Sequence, residues 1–310
     1  MLCMRRKILV SLMATLVFAF AIGCDNSKPG GGAGGGGGST HPPGPPPLRF
    51  TAIPDQNATM LKEEYDPVAA HLSEKLGIAV VYVPAKDYAA SVEMFTSGDV
   101  QLAWFGGLTG VQARHRVKGA RAIAQGEADP QYKSYFIAHK DTGLEKSEDF
   151  PKGIGEFTFT FGSESSTSGR LMPEHFIRKN TGKSPKELFK TAPTFSGAHD
   201  KTVELVQSGQ VQVGAVNYKV YDKRVKAGKT DPDVCRIIWT TPFYADYNFT
   251  AHPDIDNTFG KGTIDRLQKE LLAIEDEKLM EAFLRKDFIA AKNEDFDGIV
   301  SVAKELGFLD

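Results

Sequence analysis

FTFTFGSESSTSGRLMPEHFIRKN, residues 157–180, runs from an alternating stretch through a hydroxyl-rich turn into a helical one. Phe157, Phe159 and Phe161 recur at the two-residue period of a pleated strand. Five of the six residues from Ser163 to Ser168 carry a hydroxyl, Gly169 follows, and a helix is predicted from about Gly169 to Asn180. Two readings of the turn stand. Thr167 or Ser168 caps the helix, the commonest use of such residues. Alternatively, the hydroxyls and the unpaired N–H groups of the helix start cradle an anion without any lysine or arginine. One cap needs one hydroxyl, so the surplus keeps the cradle in play.

The same order of elements runs outward in both directions. Before the turn come LRFTAI (48–53), a helical pattern at 61–76, IAVVYVP (78–84), a helix near 88–95, VQLAWFGG (100–107), a helical stretch at 111–116, RAIAQG (121–126) and YKSYFIAH (132–139). A polar, turn-rich stretch, 141–156, separates these from FTFTFG. After the turn come LFKTAPTF (188–195), a helix at about 199–208, VQVGAVN (211–217), a helix near 218–226 and CRIIWT (235–240). Strands separated by helices predict an α/β fold with largely parallel, covered sheets. The restart at FTFTFG predicts two lobes, one of residues 48–140 with 241–310 and the other of 141–240. YNFTAH (247–252) and the helical stretches IDRLQKELLAIE (264–275) and KLMEAFLRK (278–286) then return to the first lobe. Ligands in open α/β sheets gather where strands end and helix N-termini point, which is where the hydroxyl-rich turn falls.

The N-terminus addresses the compartment. A basic segment, MRRK (4–7), precedes the apolar run ILVSLMATLVFAFAI (8–22) and then Gly23-Cys24. This is the pattern of a secretory signal, residues 1–23, with a lipoprotein-type cleavage site, and the apolar run is shorter than the roughly 20 residues of a membrane span. Ala21 stands where such signals usually carry leucine, which leaves ordinary signal cleavage as the alternative. Residues 24–47 then comprise a lipidated Cys24 and a Gly/Pro-rich tether. Cys3 leaves with the signal, so the exported chain keeps Cys235 alone and no disulfide framework or cysteine metal cluster is expected. No cofactor is implied. A formal net charge of −2 and the lack of a long basic run exclude a nucleic-acid partner.

Catalytic signatures are missing: HExxH, GxSxG and GxxxxGK[ST] do not occur. A serine of the 163–168 stretch with His199 as base is the enzyme reading, but clustered hydroxyls suit binding better than catalysis, which needs one activated oxygen.

Four stretches in one order, AKDYAASVEMF (85–95), LAWFGGLTG (102–110), SSTSGRLMP (165–173) and GAHDKTVELVQSGQVQVGAVN (197–217), resemble the phosphonate-binding family of ABC-transporter substrate-binding proteins. The resemblance runs from about Leu48 through the C-terminal helices. It implies a two-lobed, type II-like periplasmic-binding-protein fold that closes on a small tetrahedral oxyanion and delivers it to a permease and ATPase complex. It places Ser166, Thr167 and Ser168 on the phosphonyl oxygens, Tyr88 and His199 facing the ligand, and Trp104 with its neighbours at the lip of the cleft. Each has a plainer reading, as a helix-face aromatic, a solvated helix start or a core residue. Tyr135 is a further candidate, in an alternating strand that could turn it either way. An imidazolium at His199, if that is the binding form, would lose affinity as pH rises through its pKa. Asn217 departs from the pattern, because family members that take aminoalkyl phosphonates tend to carry an aspartate at the end of that strand. An amide does not neutralise a buried ammonium, so Asn217 favours a ligand without a cation, such as phosphite, a simple alkyl phosphonate or another tetrahedral oxyanion. The sequence is also similar to a branch provisionally associated with selenate. A sensor partnering a histidine kinase would share fold and pocket. The chain is expected to act as a monomer, held by its lipid at the outer face of the cytoplasmic membrane, with Asp25 resembling an inner-membrane retention signal.

If Cys24 carries the anchor, Cys24→Ser moves the protein from the membrane fraction to the soluble fraction. A variant that still sediments with membranes rejects the anchor.

Overall fold

The computed structural model describes residues 46–309. The signal, Cys24 and nearly all of the tether therefore lie outside the described residues. Along the chain come β1 (Leu48–Ala52), α1 (Ala58–Leu76), β2 (Val80–Tyr82), α2 (Tyr88–Thr96), β3 (Leu102–Phe105), α3 (Gly107–Arg116) and β4 (Arg121–Gly126). Then follow β5 (Ser134–His139), β6 (Phe159–Phe161), α4 (Met172–Thr181), the short α5 (Pro185–Leu188), β7 (Thr194–Phe195), α6 (His199–Gln207), β8 (Val213–Asn217), α7 (Tyr218–Lys226) and β9 (Cys235–Thr240). The chain ends with β10 (Asn248–Ala251), α8 (Asp254–Phe259), α9 (Thr263–Leu272), α10 (Glu277–Glu281), β11 (Phe288–Ala290) and α11 (Asp297–Glu305).

These strands form two sheets, ordered β11-β4-β10-β3-β1-β2 and β7-β6-β8-β5-β9. Each is mixed rather than largely parallel. β1 lies parallel to β2 and β3, and β6 parallel to β7 and β8, as helix-linked strands require. β10 runs antiparallel between β3 and β4, and β5 antiparallel between β8 and β9. These are the first strands after each passage from one sheet to the other. Each enters its new sheet from the side facing the other lobe, and its direction is reversed for that reason. β5 thus pairs in the second sheet, and the passage falls between β4 and β5, ahead of the boundary at 140 read from the sequence.

Strand burial follows position. β3, between β1 and β10, is buried at all four residues, and β8 at all five. α9 packs on α1, β4 and β11, and α11 on α3, so the C-terminal helices cover the first sheet. Trp104 on β3 lies in an aromatic cluster with Tyr247, Phe249, Phe283 and Phe288. Cys235 is buried in a smaller cluster with Ile137, Val203, Val206, Val216 and Tyr221.

Helix starts carry local caps. Asp87 accepts from Ala90 N at 2.7 Å before α2, and Asn217 accepts from Val220 N at 2.7 Å before α7. The hydroxyl-rich turn is different in shape. Leu171 N bonds back five residues to Ser166 O at 2.9 Å, which makes 167–171 a wide π-type turn opening into α4. Such a turn spreads the first N–H groups over more space than an α-helical start.

Candidate functional site

Five helical starts converge between the two sheets. From the first lobe come α2, beginning at Tyr88, and α3, beginning at Gly107; from the second come the wide turn at Thr167, α6 at His199 and α7, capped by Asn217. Tyr88, Thr167, Ser168, His199 and Asn217 are all buried to 3% exposure or less. Bonds across the cleft hold them together: Leu108 N donates to Thr167 Oγ1 at 2.9 Å, His199 N to Asp55 O at 2.9 Å, and Asn217 Nδ2 to Tyr247 Oη at 3.0 Å. At the rim, Lys223 pairs with Glu64 at 3.1 Å.

Ser166, Thr167 and Ser168 divide the labour. Ser166 Oγ accepts from Gly169 N at 2.9 Å and is the cap. Thr167 and Ser168 occupy the first turn, where backbone N–H groups have no partner inside the helix. The turn can come this close because Gly162 and Gly169 face each other, Gly162 N donating to Gly169 O at 2.8 Å. A Cβ on Gly169 would stand 3.0 Å from His199 Cε1 and 3.1 Å from Gly162 Cα.

His199 is fully enclosed. Its Nδ1 accepts from Asn217 N at 3.3 Å, which assigns the ring hydrogen to Nε2, and burial pushes its pKa down to about 3. The imidazolium expectation is thereby corrected: at neutral pH the ring is uncharged and presents an N–H donor. That nitrogen has no protein partner, and neither does the buried Tyr88 hydroxyl.

Two carboxylates share the chamber, and the sequence reading missed both. Asp246 Oδ1 accepts from Gly107 N at 2.8 Å, while Oδ2 is buried without a partner. Burial pushes its pKa up to about 7, against the lowering effect of the Gly107 N–H and the Thr167 and Ser168 hydroxyls. Asp55 accepts from Tyr247 Oη at 2.8 Å through Oδ2, and its Oδ1 is likewise unpartnered. Burial raises it to about 6, opposed by the Tyr247 hydrogen bond and by Arg285. Asp55 follows β1, at the carboxyl end of a parallel strand, and that position was the available signal. Asp246 and Tyr247 precede the crossing strand β10 and carry no local pattern. Four buried polar atoms without partners in one place mark a chamber built for something that both accepts and donates hydrogen bonds.

Trp104 and Tyr135 are not brought to this chamber. Trp104 lies beneath Tyr247, its ring stacked at 5.5 Å, because β3 is interior and the lip is taken by Gly106 and Gly107. A Cβ on Gly106 would stand 3.1 Å from Thr167 Oγ1. On β5 the alternation turns Ser134 inward, its hydroxyl donating to Ser168 O at 2.6 Å. Tyr135 therefore faces the opposite side, packing on Tyr218 and Tyr221. Asn217 is in the chamber, but its side chain is occupied by Val220 N and Tyr247 Oη.

A family model described as "ABC transporter, phosphonate, periplasmic substrate-binding protein" matches residues 50–296. The chain is 35% identical over 266 residues to the probable ABC transporter phosphite binding protein PhnD1 of Prochlorococcus marinus MIT 9301, covering 84% of this chain and 89% of that protein. It is 31% identical over 235 residues to the phosphate-import protein PhnD of Mycolicibacterium smegmatis, covering 71% of this chain and 70% of that one. The solved structure of the Prochlorococcus protein in complex with methylphosphonate superposes with a TM-score of 0.81 at 36% identity, covering 84% of this chain and 98% of that one.

Two outcomes test the geometry. Nitrogen NMR on labelled protein should show His199 as the neutral Nε2–H tautomer from pH 5 to pH 8, and a titration centred near the ordinary histidine pKa of about 6.5 rejects it. Thr167→Val leaves Leu108 N unpaired in the closed form while sparing the Ser166 cap, so binding should weaken on the order of ten- to a hundredfold with little change in melting temperature. Lost stability with unchanged affinity would return the turn to a purely structural role.

Proposed function

We propose a ligand for a chain that belongs to the periplasmic phosphonate-binding family of ABC-transporter substrate-binding proteins: a small phosphorus oxyanion, phosphonate or phosphite, captured with one oxygen protonated. The fold is the two-lobed one of periplasmic binding proteins, and the partners of such a component are a membrane permease and its ATPase.

The unpartnered Oδ2 of Asp246 carries the reading. Thr167 and Ser168 N–H, His199 Nε2–H and the Tyr88 hydroxyl supply donors to oxyanion oxygens, while Asp246 beside them needs a donor in return. A monoanion bearing P–OH satisfies both directly; a fully ionised anion requires Asp246 itself to carry the proton, which becomes costlier as pH rises above about 7. Selenate and sulfate, which bring no proton of their own at neutral pH, depend on that protonated carboxyl and are disfavoured above about pH 7. The geometry also supports binding without turnover: the free nitrogen of His199 bears a hydrogen, and its other nitrogen faces an N–H rather than an orienting carboxylate, so the ring is not set up as a general base. We further infer action as a monomer, anchored through Cys24, which lies outside the described residues.

A thermal-shift panel of methylphosphonate, phosphite, phosphate, 2-aminoethylphosphonate, sulfate and selenate tests the assignment. Methylphosphonate and phosphite should each stabilise by about 2.7 kcal/mol at a hundredfold excess over Kd. No shift with either, or an equal shift with sulfate or selenate, sinks it. The complex holds one proton between ligand and Asp246 that the free dianion and free carboxylate do not, so affinity should fall as pH rises above about 7. Asp246→Asn should flatten that slope and admit sulfate.

A further inference from the structure

Behind Tyr247 lies an aromatic box, and the protein fills it with its own cation. The guanidinium of Arg285 stands 4.9 Å from the ring centre of Tyr247, 5.2 Å from Tyr132 and 5.8 Å from Trp104. Asp129, fully buried, receives it side-on through Nη2 and through Nε at 2.9 Å. Nη1 donates to Phe283 O at 2.6 Å, across a bend in which Leu284 adopts a φ of 55°. Gly126 admits the arginine stem, since a Cβ there would stand 2.4 Å from Arg285 Cδ. The space left among these groups, Asp55 and Asn217 is about 10 Å³, enough for no more than one water.

Nothing in the packing requires a cation here. A buried arginine–aspartate pair gains little over apolar residues of similar volume, because desolvating two charges offsets their attraction. Three aromatic faces over a carboxylate are, however, the arrangement that recognises an ammonium or guanidinium. The box shares Tyr247 with the chamber, and Tyr247 Oη holds Asp55, whose charge Arg285 offsets. Asp55 and Asn217 line both spaces.

We propose that Arg285, in addition to Asn217, excludes amine-bearing ligands: its guanidinium occupies the cation box of Trp104, Tyr132, Tyr247 and Asp129 in place of the cationic tail of a longer phosphonate. This rests on the phosphonate reading above. Arg285 does not touch the oxyanion; it sets what the substituent of the ligand is allowed to be. Without its side chain the box stays aromatic and acidic, the chemistry that recognises a primary ammonium, and it borders the chamber through Asp55, Asn217 and Tyr247.

Calorimetry on the full chain compares methylphosphonate with 2-aminoethylphosphonate. Wild type should bind the first and discriminate against the second. In Arg285→Ala the affinity ratio should move at least tenfold toward the amine, and adding Asp129→Asn should cancel that gain. An unchanged ratio in Arg285→Ala, or a gain that survives Asp129→Asn, overturns the proposal. If Arg285→Ala is too unstable for calorimetry, its melting temperature is followed against ethylguanidinium chloride, with sodium chloride at equal ionic strength. A saturable rise in the variant that wild type lacks supports a cation box, and no rise rejects it. Wild type that binds neither methylphosphonate nor phosphite would instead reject the ligand class itself, a failure distinct from an unchanged ratio over intact wild-type binding.

Discussion

A helix that begins inside a protein leaves N–H groups that the helix cannot satisfy, and this chain begins five helical segments at one place. Either lobe alone would offer its starts to water. When the lobes meet, water leaves and the groups must find each other. Across the cleft Leu108 N finds the Thr167 hydroxyl and His199 N finds Asp55 O, while within the lobes Gly107 N finds Asp246 and Asn217 N finds His199. What remains over, the Thr167 and Ser168 N–H groups with Tyr88 and His199, is the set of donors that the proposed ligand would take. The two sheets, their crossings and the close approach of Gly162 to Gly169 serve to bring these starts within reach.

No lysine or arginine is needed in contact with the oxyanion. Partial positive charge from the helix starts supplies the attraction, and it is arranged before any ligand arrives. Two carboxylates then make the chamber demanding rather than merely attractive. If Asp246 receives a hydrogen from the ligand, as proposed, selection among tetrahedral anions turns on protonation rather than on size, since sulfate and a phosphonate differ little in radius but differ in whether they carry an O–H. The neutral state of His199 belongs to the same design, for a charged ring would attract any anion alike.

What the sequence revealed was local, and what it concealed depended on chain return. Thr167 and Ser168 are found at a helix start that a short pattern announces, so they were nameable from their neighbours, whereas Tyr88 and His199, also at helix starts, were named only through the family resemblance. Asp55, Asp246 and Tyr247 are ordinary residues in ordinary loops until β10 brings the chain back beside β3. Tyr135 and Ser134 differ by one position on an alternating strand, and which of them faces inward depends on the sheet that strand joins. The mixed sheets were hidden for a similar reason: the direction of β5 and β10 follows from where the chain has just been, not from their own residues. Arg285 lies in a helical-looking stretch, KLMEAFLRK, and only the turn at Leu284 sends it into the core.

The return of β10 also bears on how the molecule is made. β3 and β4 are consecutive in the chain, yet they do not pair; β10 is threaded between them, and β11 closes the outer edge of β4. The first sheet therefore has no complete hydrogen-bond ladder until residues beyond 247 have been synthesised, and the second lobe interrupts it in the meantime. Non-local pairings of this kind delay folding. The first lobe therefore matures last although its chain is made first: β1 to β4 wait, incompletely paired, until the second lobe has been synthesised and β10 and β11 arrive.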